Sequence, residues 1–294
     1  NLATSLVGSG VVDVAVACGV EVMSRVPMGS SMGTGVGKAI PKSYFRQYEF
    51  TTQFEAAERI ADKWGITREE TDGLGVSSQA RAAQAWAEDR YGTQIVPIDA
   101  PDLGEDGKPT GTTHRVERDE GLRETSLESL ANLKPVARED GVHTAGSASQ
   151  ISDGAGAVLL MTREKADELG LRPRARIIDQ TSVGCDPVKM LEGPIPATHK
   201  LLQRNNMSIN DIDRFEVNEA FAPVVVAWSR EHGPDMDRVN TRGGAMALGH
   251  PLGSTGARLL TTLLHTLEDD DQEIGLVTMC CGGGLGTGTL IQRL

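Results

Sequence analysis

The segment Gly243-Gly244-Ala245-Met246-Ala247-Leu248-Gly249-His250-Pro251-Leu252-Gly253-Ser254-Thr255-Gly256-Ala257-Arg258 fixes one histidine between glycine turns immediately ahead of a helix. Beyond Thr255 the apolar residues Ala257, Leu260, Leu263, Leu264 and Leu267 recur at helical spacing. A helix therefore starts near Ser254 or Thr255, and either residue can cap it. His250 is confined to a short rigid loop, where an imidazole serves equally well as a base or as a hydrogen-bonding group that only satisfies the loop. Other segments have to decide between the two.

Around that loop the chain alternates strand and helix. The continuous apolar run Val11–Ala17 suits a parallel strand covered on both faces, and Asn1–Val7 reads as helix interior. Residues 26–37, rich in glycine and methionine, read as loop. A helix from Phe54 to Trp64 stops at Gly65, and Thr67 with Glu70 forms a capping box for a long alanine-rich helix ending near Gly92. Ile95–Ile98 is expected as an edge strand because of Pro97, residues 99–120 as surface loop, and Ser126–Leu133 as a short helix. Gly154–Met161 is a buried strand followed by a helix capped by Thr162 and ended by Gly170. Then come a strand at 175–183, a helix at 196–204, the strand Arg214–Val217, and the pair 273–279 and 287–292. This is an α/β pattern, and it puts Asn218 at the C-terminal end of a strand, where such sheets bind ligands.

The 294 residues suffice for a large core in two or more packed units. A net charge of -12 repels phosphate backbones and excludes nucleic acid as a partner. No apolar run approaches membrane-spanning length, so no membrane partner is expected. Four cysteines, two of them adjacent, give no disulfide framework and point to a reducing, cytoplasmic setting. No Cys/His spacing suits zinc, so no metal is expected.

Two further segments are Phe215-Glu216-Val217-Asn218-Glu219-Ala220-Phe221-Ala222 and Thr278-Met279-Cys280-Cys281-Gly282-Gly283-Gly284-Leu285-Gly286. With the histidine segment they resemble, in order, the NEAFA, GGAxALGHPLGxxGAR and CxGGGxG signatures of the thiolases. The resemblance continues upstream through Gly193–Thr198, His143–Ala155 and Glu21–Ser24, and so covers essentially the whole chain. It implies an α/β fold of two similar halves in five αβαβα layers, with a loop domain inserted in the first half. On that pattern residues 1–22 and 152–172 belong to the N-terminal half, 23–151 to the inserted domain and 173–294 to the C-terminal half. It also implies a homodimer or homotetramer that cleaves 3-oxoacyl-CoA with coenzyme A as substrate and uses no cofactor.

The same resemblance assigns roles. His250 activates a nucleophilic cysteine, and Cys280 protonates the departing enolate and later deprotonates coenzyme A. The Gly282 amide belongs to one oxyanion hole, where a single donor is worth about 3 kcal/mol of barrier. Asn218 orients a water that completes a second hole with His250. Ser149 contacts the pantetheine arm beside Ala145, and Ser129, Ala220 and Phe221 match other channel positions, Ser129 also reading as an ordinary helix-surface serine. Cys281 is assigned to packing. The departures Ala148-Ser149-Gln150-Ile151-Ser152-Asp153-Gly154 and Gln53-Phe54-Glu55-Ala56-Ala57-Glu58 from the biosynthetic pattern favour longer or bulkier acyl groups than acetoacetyl.

The family nucleophile is expected roughly seven or eight residues ahead of Asn1, at a helix start of the kind that lowers a thiol pKa. Cys18 reads instead as a buried structural thiol. A non-catalytic acyl-CoA or lipid binder has no need to keep His250, Cys280 and Asn218 together. A carrier-protein condensing enzyme generally carries a second histidine where this chain has Cys280.

Overall fold

Thr52, Thr67, Ser126 and Thr162 each accept a hydrogen bond from the backbone N–H three residues on, and each opens a helix. Thr67 and Glu70 complete the expected capping box, and Gly65 closes the preceding helix in the left-handed region. The computed structural model describes residues 1–33, 35 and 37–294, so Thr34 and Val36 of the loop expected at 26–37 lie outside the described residues.

The first part of the chain runs α1 (Leu2–Gly8), β1 (Val14–Val22), α2 (Tyr44–Gln47), α3 (Gln53–Trp64) and α4 (Arg68–Ala87). It continues through β2 (Ile98–Leu103), β3 (Pro109–Val116), α5 (Leu127–Ala131), β4 (Asp153–Met161) and α6 (Arg163–Glu168). The second part runs β5 (Ala175–Gly184), α7 (Pro194–Arg204), β6 (Arg214–Val217) and α8 (Ala222–His232). It closes with α9 (Ala245–Leu248), α10 (Thr255–Asp269), β7 (Ile274–Cys281) and β8 (Leu285–Arg293).

Strands β5, β8, β7 and β6 form one sheet in that order, with β6 parallel to β7 and the other pairs antiparallel. Alternation along β7 and β8 sends Leu276 and Leu290 to one face, against Leu201, Phe215 and Trp228. It sends Val277 and Ile291 to the other, against Leu259, Leu263 and Leu267 of α10. Both faces are thus covered, by α7 and α8 on one side and by α10 on the other. Helix α10 also packs on the β1–β4 pair and forms a central layer between the two sheets.

That central layer requires small residues on β1. The face of β1 turned toward α10 carries Ala15, Ala17 and Gly19, and a Cβ on Gly19 would stand only 1.7 Å from the carbonyl oxygen of Gly253. On β4 a Cβ at Gly156 would stand 3.2 Å from that of Ala257. The loop leading into α10 therefore lies directly on strand backbone.

Several expectations change. Strand β1 starts three residues later than the apolar run suggested, and it pairs antiparallel with β4, not parallel. Only one of its faces is covered among the described residues, since Val14, Val16, Val20 and Val22 are exposed. Cys18 shares their side of the strand and is exposed, not buried, because period-two alternation places residues 14 to 22 of even number together. The expected loop at 99–120 contains the antiparallel hairpin β2–β3, turned at Gly104–Gly107, with Pro101 and Pro109 inside the strands and the ladder irregular between Pro101 and Leu103. Helix α4 ends at Ala87, short of Gly92, where Asp89 adopts a left-handed conformation. Neither Ser254 nor Thr255 caps α10 with its side chain, and both hydroxyls donate to the Pro251 carbonyl instead.

The close approach of β1 to the histidine loop predicts that Gly19→Ala destabilises the protein by about 1–3 kcal/mol, the usual range for overpacking. Gly8→Ala, where nothing lies within 4 Å of an added Cβ, is neutral or slightly stabilising. Paired thermal unfolding curves check both, and an unchanged midpoint for Gly19→Ala refutes the packing described.

Candidate active site

His250 follows Gly249, whose φ of 88° ends α9 in a conformation that side chains resist. Its own N–H donates to the Gln150 carbonyl at 3.1 Å, which ties the loop to the segment before β4. The Thr255 hydroxyl donates to the Pro251 carbonyl and so accepts a hydrogen bond from the Nδ1–H of His250, 2.6 Å away. That leaves the lone pair on Nε2, which accepts from Asn218 Nδ2 at 3.2 Å. The ring is thereby fixed in one tautomer with a basic nitrogen facing Asn218. Burial, and next the positive charge of Arg258, push His250 down to about 4, so the imidazole is neutral across the physiological range.

Asn218 continues β6, donating its own N–H to the Thr278 carbonyl of β7 at 3.0 Å. It is completely buried, and its Oδ1 has no partner among the described residues. Because β6 and β7 are parallel and in register from Arg214↔Gly275 to Val217↔Thr278, their C-terminal ends bring Asn218 and Cys280 to neighbouring strand ends. Cys280 packs in an apolar cluster with Leu191, Ala220 and Phe221, and burial pushes its thiol up to about 12. Gly282, at the rim of the turn that follows, is exposed, and an added Cβ there would meet nothing within 4 Å. Cys281, half-buried on the opposite face, is also raised by burial.

The segment 145–150 joins the motifs. Ala148 bridges to Phe221, the Ser149 N–H donates to the Ala220 carbonyl at 3.0 Å, and the Gln150 N–H donates to the Ala245 carbonyl at 3.3 Å. Ser149 is half-buried and Ala145 exposed, while Ala220 and Phe221 are buried. The structure therefore brings His250, Asn218, Cys280, Gln150, Ser149, Ala220 and Phe221 to one place. Ser129 stands apart: its hydroxyl accepts from the Ser126 N–H and completes a capping box at the start of α5.

Residues that the motifs did not single out hold this arrangement. The buried carboxylate of Glu219 accepts from Ser78 Oγ at 2.6 Å, Asn240 Nδ2 at 3.0 Å and the Met246 N–H at 3.2 Å. An added Cβ on Gly244 would stand 2.2 Å from that carboxylate, so the glycine lets the loop close onto it. Phe54 and His143 pack edge and face around Phe221, and burial holds His143 down at about 4. Glu219 could have been suspected from its place beside Asn218 in one motif, whereas nothing in the sequence marks Thr255 as the partner of His250.

Thr255→Val keeps the shape but removes the acceptor for Nδ1–H, and it is expected to lower kcat about 10-fold or more with little change in KM. Ser129→Ala is expected to cost about 1 kcal/mol of stability through the lost cap and to leave the KM for coenzyme A unchanged. Steady-state kinetics with thermal unfolding on both variants check this, and a selective rise in KM for Ser129→Ala would move that serine into the channel.

Comparisons with known proteins identify the family. The family model described as the thiolase N-terminal domain matches residues 1–164, and the thiolase C-terminal domain matches residues 171–293. A steroid 3-ketoacyl-CoA thiolase of Mycobacterium tuberculosis is 45% identical over 294 residues, covering 97% of this chain and 69% of that protein. An acetyl-CoA acetyltransferase of Syntrophomonas wolfei is 39% identical over 310 residues, covering 100% of this chain and 76% of the relative. The crystal structure of the Bacillus anthracis acetyl-CoA acetyltransferase superposes with a TM-score of 0.86 at 36% identity, over 98% of this chain and 74% of that one. The fold is the thiolase fold, and the chain belongs to the thiolase family.

Proposed function

We propose that this chain acts as an acyl-CoA thiolase, an acyltransferase that passes the acyl group of a 3-oxoacyl-CoA to coenzyme A and releases acetyl-CoA. The observation that carries the reading is the 3.2 Å contact between Asn218 Nδ2 and a tautomer-fixed His250, with Cys280 at the adjoining strand end. A neutral imidazole with a free lone pair on Nε2 accepts the proton of the attacking thiol. The thiolate adds to the keto carbon, and the carbon–carbon bond breaks with its electron pair passing to the acetyl-CoA enolate. Cys280, held as the neutral thiol by burial, gives that enolate its proton. The Cys280 thiolate then takes the proton of incoming coenzyme A, whose sulfur attacks the acyl thioester and frees the nucleophile.

Developing negative charge has two places to go. Gly282, in an exposed turn uncovered by side chains, offers its amide to one oxygen. Asn218 Oδ1, an acceptor without a partner among the described residues, orients a water that serves the second hole together with His250. Ser149 and Ala145, with Ala220 and Phe221 behind them, line the path of the pantetheine arm. Phe54 against Phe221 shapes an acyl end for longer or bulkier groups than acetoacetyl. We further place the protein in the cytoplasm as a homodimer or homotetramer without a metal or nicotinamide cofactor. Its halves are 1–22 with 152–172 and 173–294, with 23–151 inserted.

Thiolysis is followed spectrophotometrically with EDTA present, on the protein carrying the segment expected ahead of Asn1. Turnover is expected on one or more substrates between short-chain and steroid-sized 3-oxoacyl-CoA, and none on any of them refutes the proposal. Cys280→Ala is expected to lower turnover by roughly two to four orders of magnitude while acyl transfer to the nucleophile persists. Cys281→Ala keeps most activity, and the reverse pattern would exchange the roles of the two cysteines.

A further inference from the structure

Helix α9 is a single turn, and its last carbonyls cannot be satisfied from within it. In a continuing helix the Met246 carbonyl would accept from the His250 N–H, and the Ala247 carbonyl from residue 251. Here the His250 N–H is spent on the Gln150 carbonyl, and residue 251 is a proline with no N–H to give. The histidine–proline pair thus leaves two acceptors on the turn that carries the base, and their donors have to come from elsewhere in the fold.

Two glutamine side chains supply them. Gln150 Nε2 donates to the Met246 carbonyl at 2.8 Å and to that of Gly121 at 2.6 Å, with the Ala247 carbonyl sharing its protons at 3.3 Å. Gln79 Nε2 donates to the same Met246 carbonyl at 3.1 Å, and its Oε1 accepts from the Arg123 N–H at 2.9 Å. Carbonyls only accept, so both amides can point only one way. The Met246 peptide is gripped from both ends, by Glu219 at its N–H and by the glutamines at its oxygen. Both glutamines also reach residues 121–123, between β3 and α5. Position 121 is packed for glycine, since an added Cβ would stand 2.7 Å from Gln150 Oε1 and 2.9 Å from the Ala247 oxygen.

We propose that the Gln150 side chain, backed by Gln79, is a positioning element that aims His250 by completing the turn on which it is mounted and tying that turn to residues 121–123. It acts through the backbone of residues 246–250, not on the reacting atoms. The inference rests on the thiolase reading for its catalytic meaning, whereas the hold on the loop can be measured without turnover. Gln150 falls in one of the two stretches that depart from the biosynthetic pattern, and the role its side chain takes here concerns the base, not the acyl group.

The test compares Gln150→Met, which keeps the length but has no N–H, with Gly121→Ala, which displaces the amide without altering it. Both are made on the protein carrying the segment expected ahead of Asn1. Each is expected to lower kcat about tenfold while KM for coenzyme A and for the 3-oxoacyl-CoA changes by less than about twofold. Adding Gln79→Met to Gln150→Met is expected to cost more than the product of the single losses, because the shared Met246 carbonyl then has no side-chain donor. The hydrogen-bonded amides of Leu248, Gly249 and His250 are expected to exchange with deuterium about tenfold faster in each variant, with α10 unchanged. Unchanged kcat and exchange in both folded variants overturn the inference. A lower melting temperature with kcat per folded molecule intact also overturns it, since Gln150 would then only stabilise the fold. So does a selective rise in KM for coenzyme A, which would put the side chain in the channel wall. Absence of thiolysis in the wild type, with exchange quickened in the variants, counts against the thiolase reading alone.

Discussion

The Glu219 carboxylate is the interaction on which the site depends. It is buried, so it must be supplied with donors, and those donors come from three separate places: Ser78 on α4, Asn240 ahead of the glycine loop and the Met246 amide within it. Satisfying one charge therefore fixes a helix and the histidine loop onto the end of β6. Asn240 contributes twice, since its side chain also exchanges hydrogen bonds with the Val217 N–H and carbonyl. A loop that carries a base could otherwise sample many positions. Here its departure would strand a buried carboxylate.

Packing supplies the second constraint. Helix α10 lies between two sheets, and it can do so only because β1 and β4 present alanine and glycine toward it. The price of that approach is steric intolerance at Gly19 and Gly156, and the return is that the start of α10 and the histidine loop rest on strand backbone. The larger apolar side chains of β1 point the other way. Their exposure is a property of the strand's opposite face, where Val14, Val16 and Val20 stand opposite Met161, Leu159 and Ala155 across the β1–β4 ladder.

How much of this was legible in the sequence depended on the kind of signal. Capping threonines announced α4 and α6 because a side-chain acceptor has one local job, whereas the caps Thr52 and Ser126 of α3 and α5 emerge only in the structure. The motif glycines placed His250 and Cys280 because turn geometry is written in residue type. The β2–β3 hairpin stayed hidden since both its faces are wet: residues such as Thr110, Thr112 and His114 are polar in either direction and give no alternation. Cys18 was misread because an apolar strand tells nothing about which face is covered. Glu216 and Arg258 look like ordinary surface charges in one dimension, and only the crossing of β6 with α10 puts them inside.

One stretch of backbone does two jobs. Residues 148–150 run past Ala220 and Phe221 on one side and hold the His250 amide through Gln150 on the other. On the function proposed above, the wall that feels a bound pantetheine arm and the bracket that steadies the base are the same few peptides. A ligand pulling on Ser149 would reach His250 through the neighbouring Gln150 carbonyl, so on that reading occupancy of the tunnel bears on the aim of the imidazole. A poorly fitting thioester would consequently be handled by a misaligned base even if its reactive carbon arrived in the right spot.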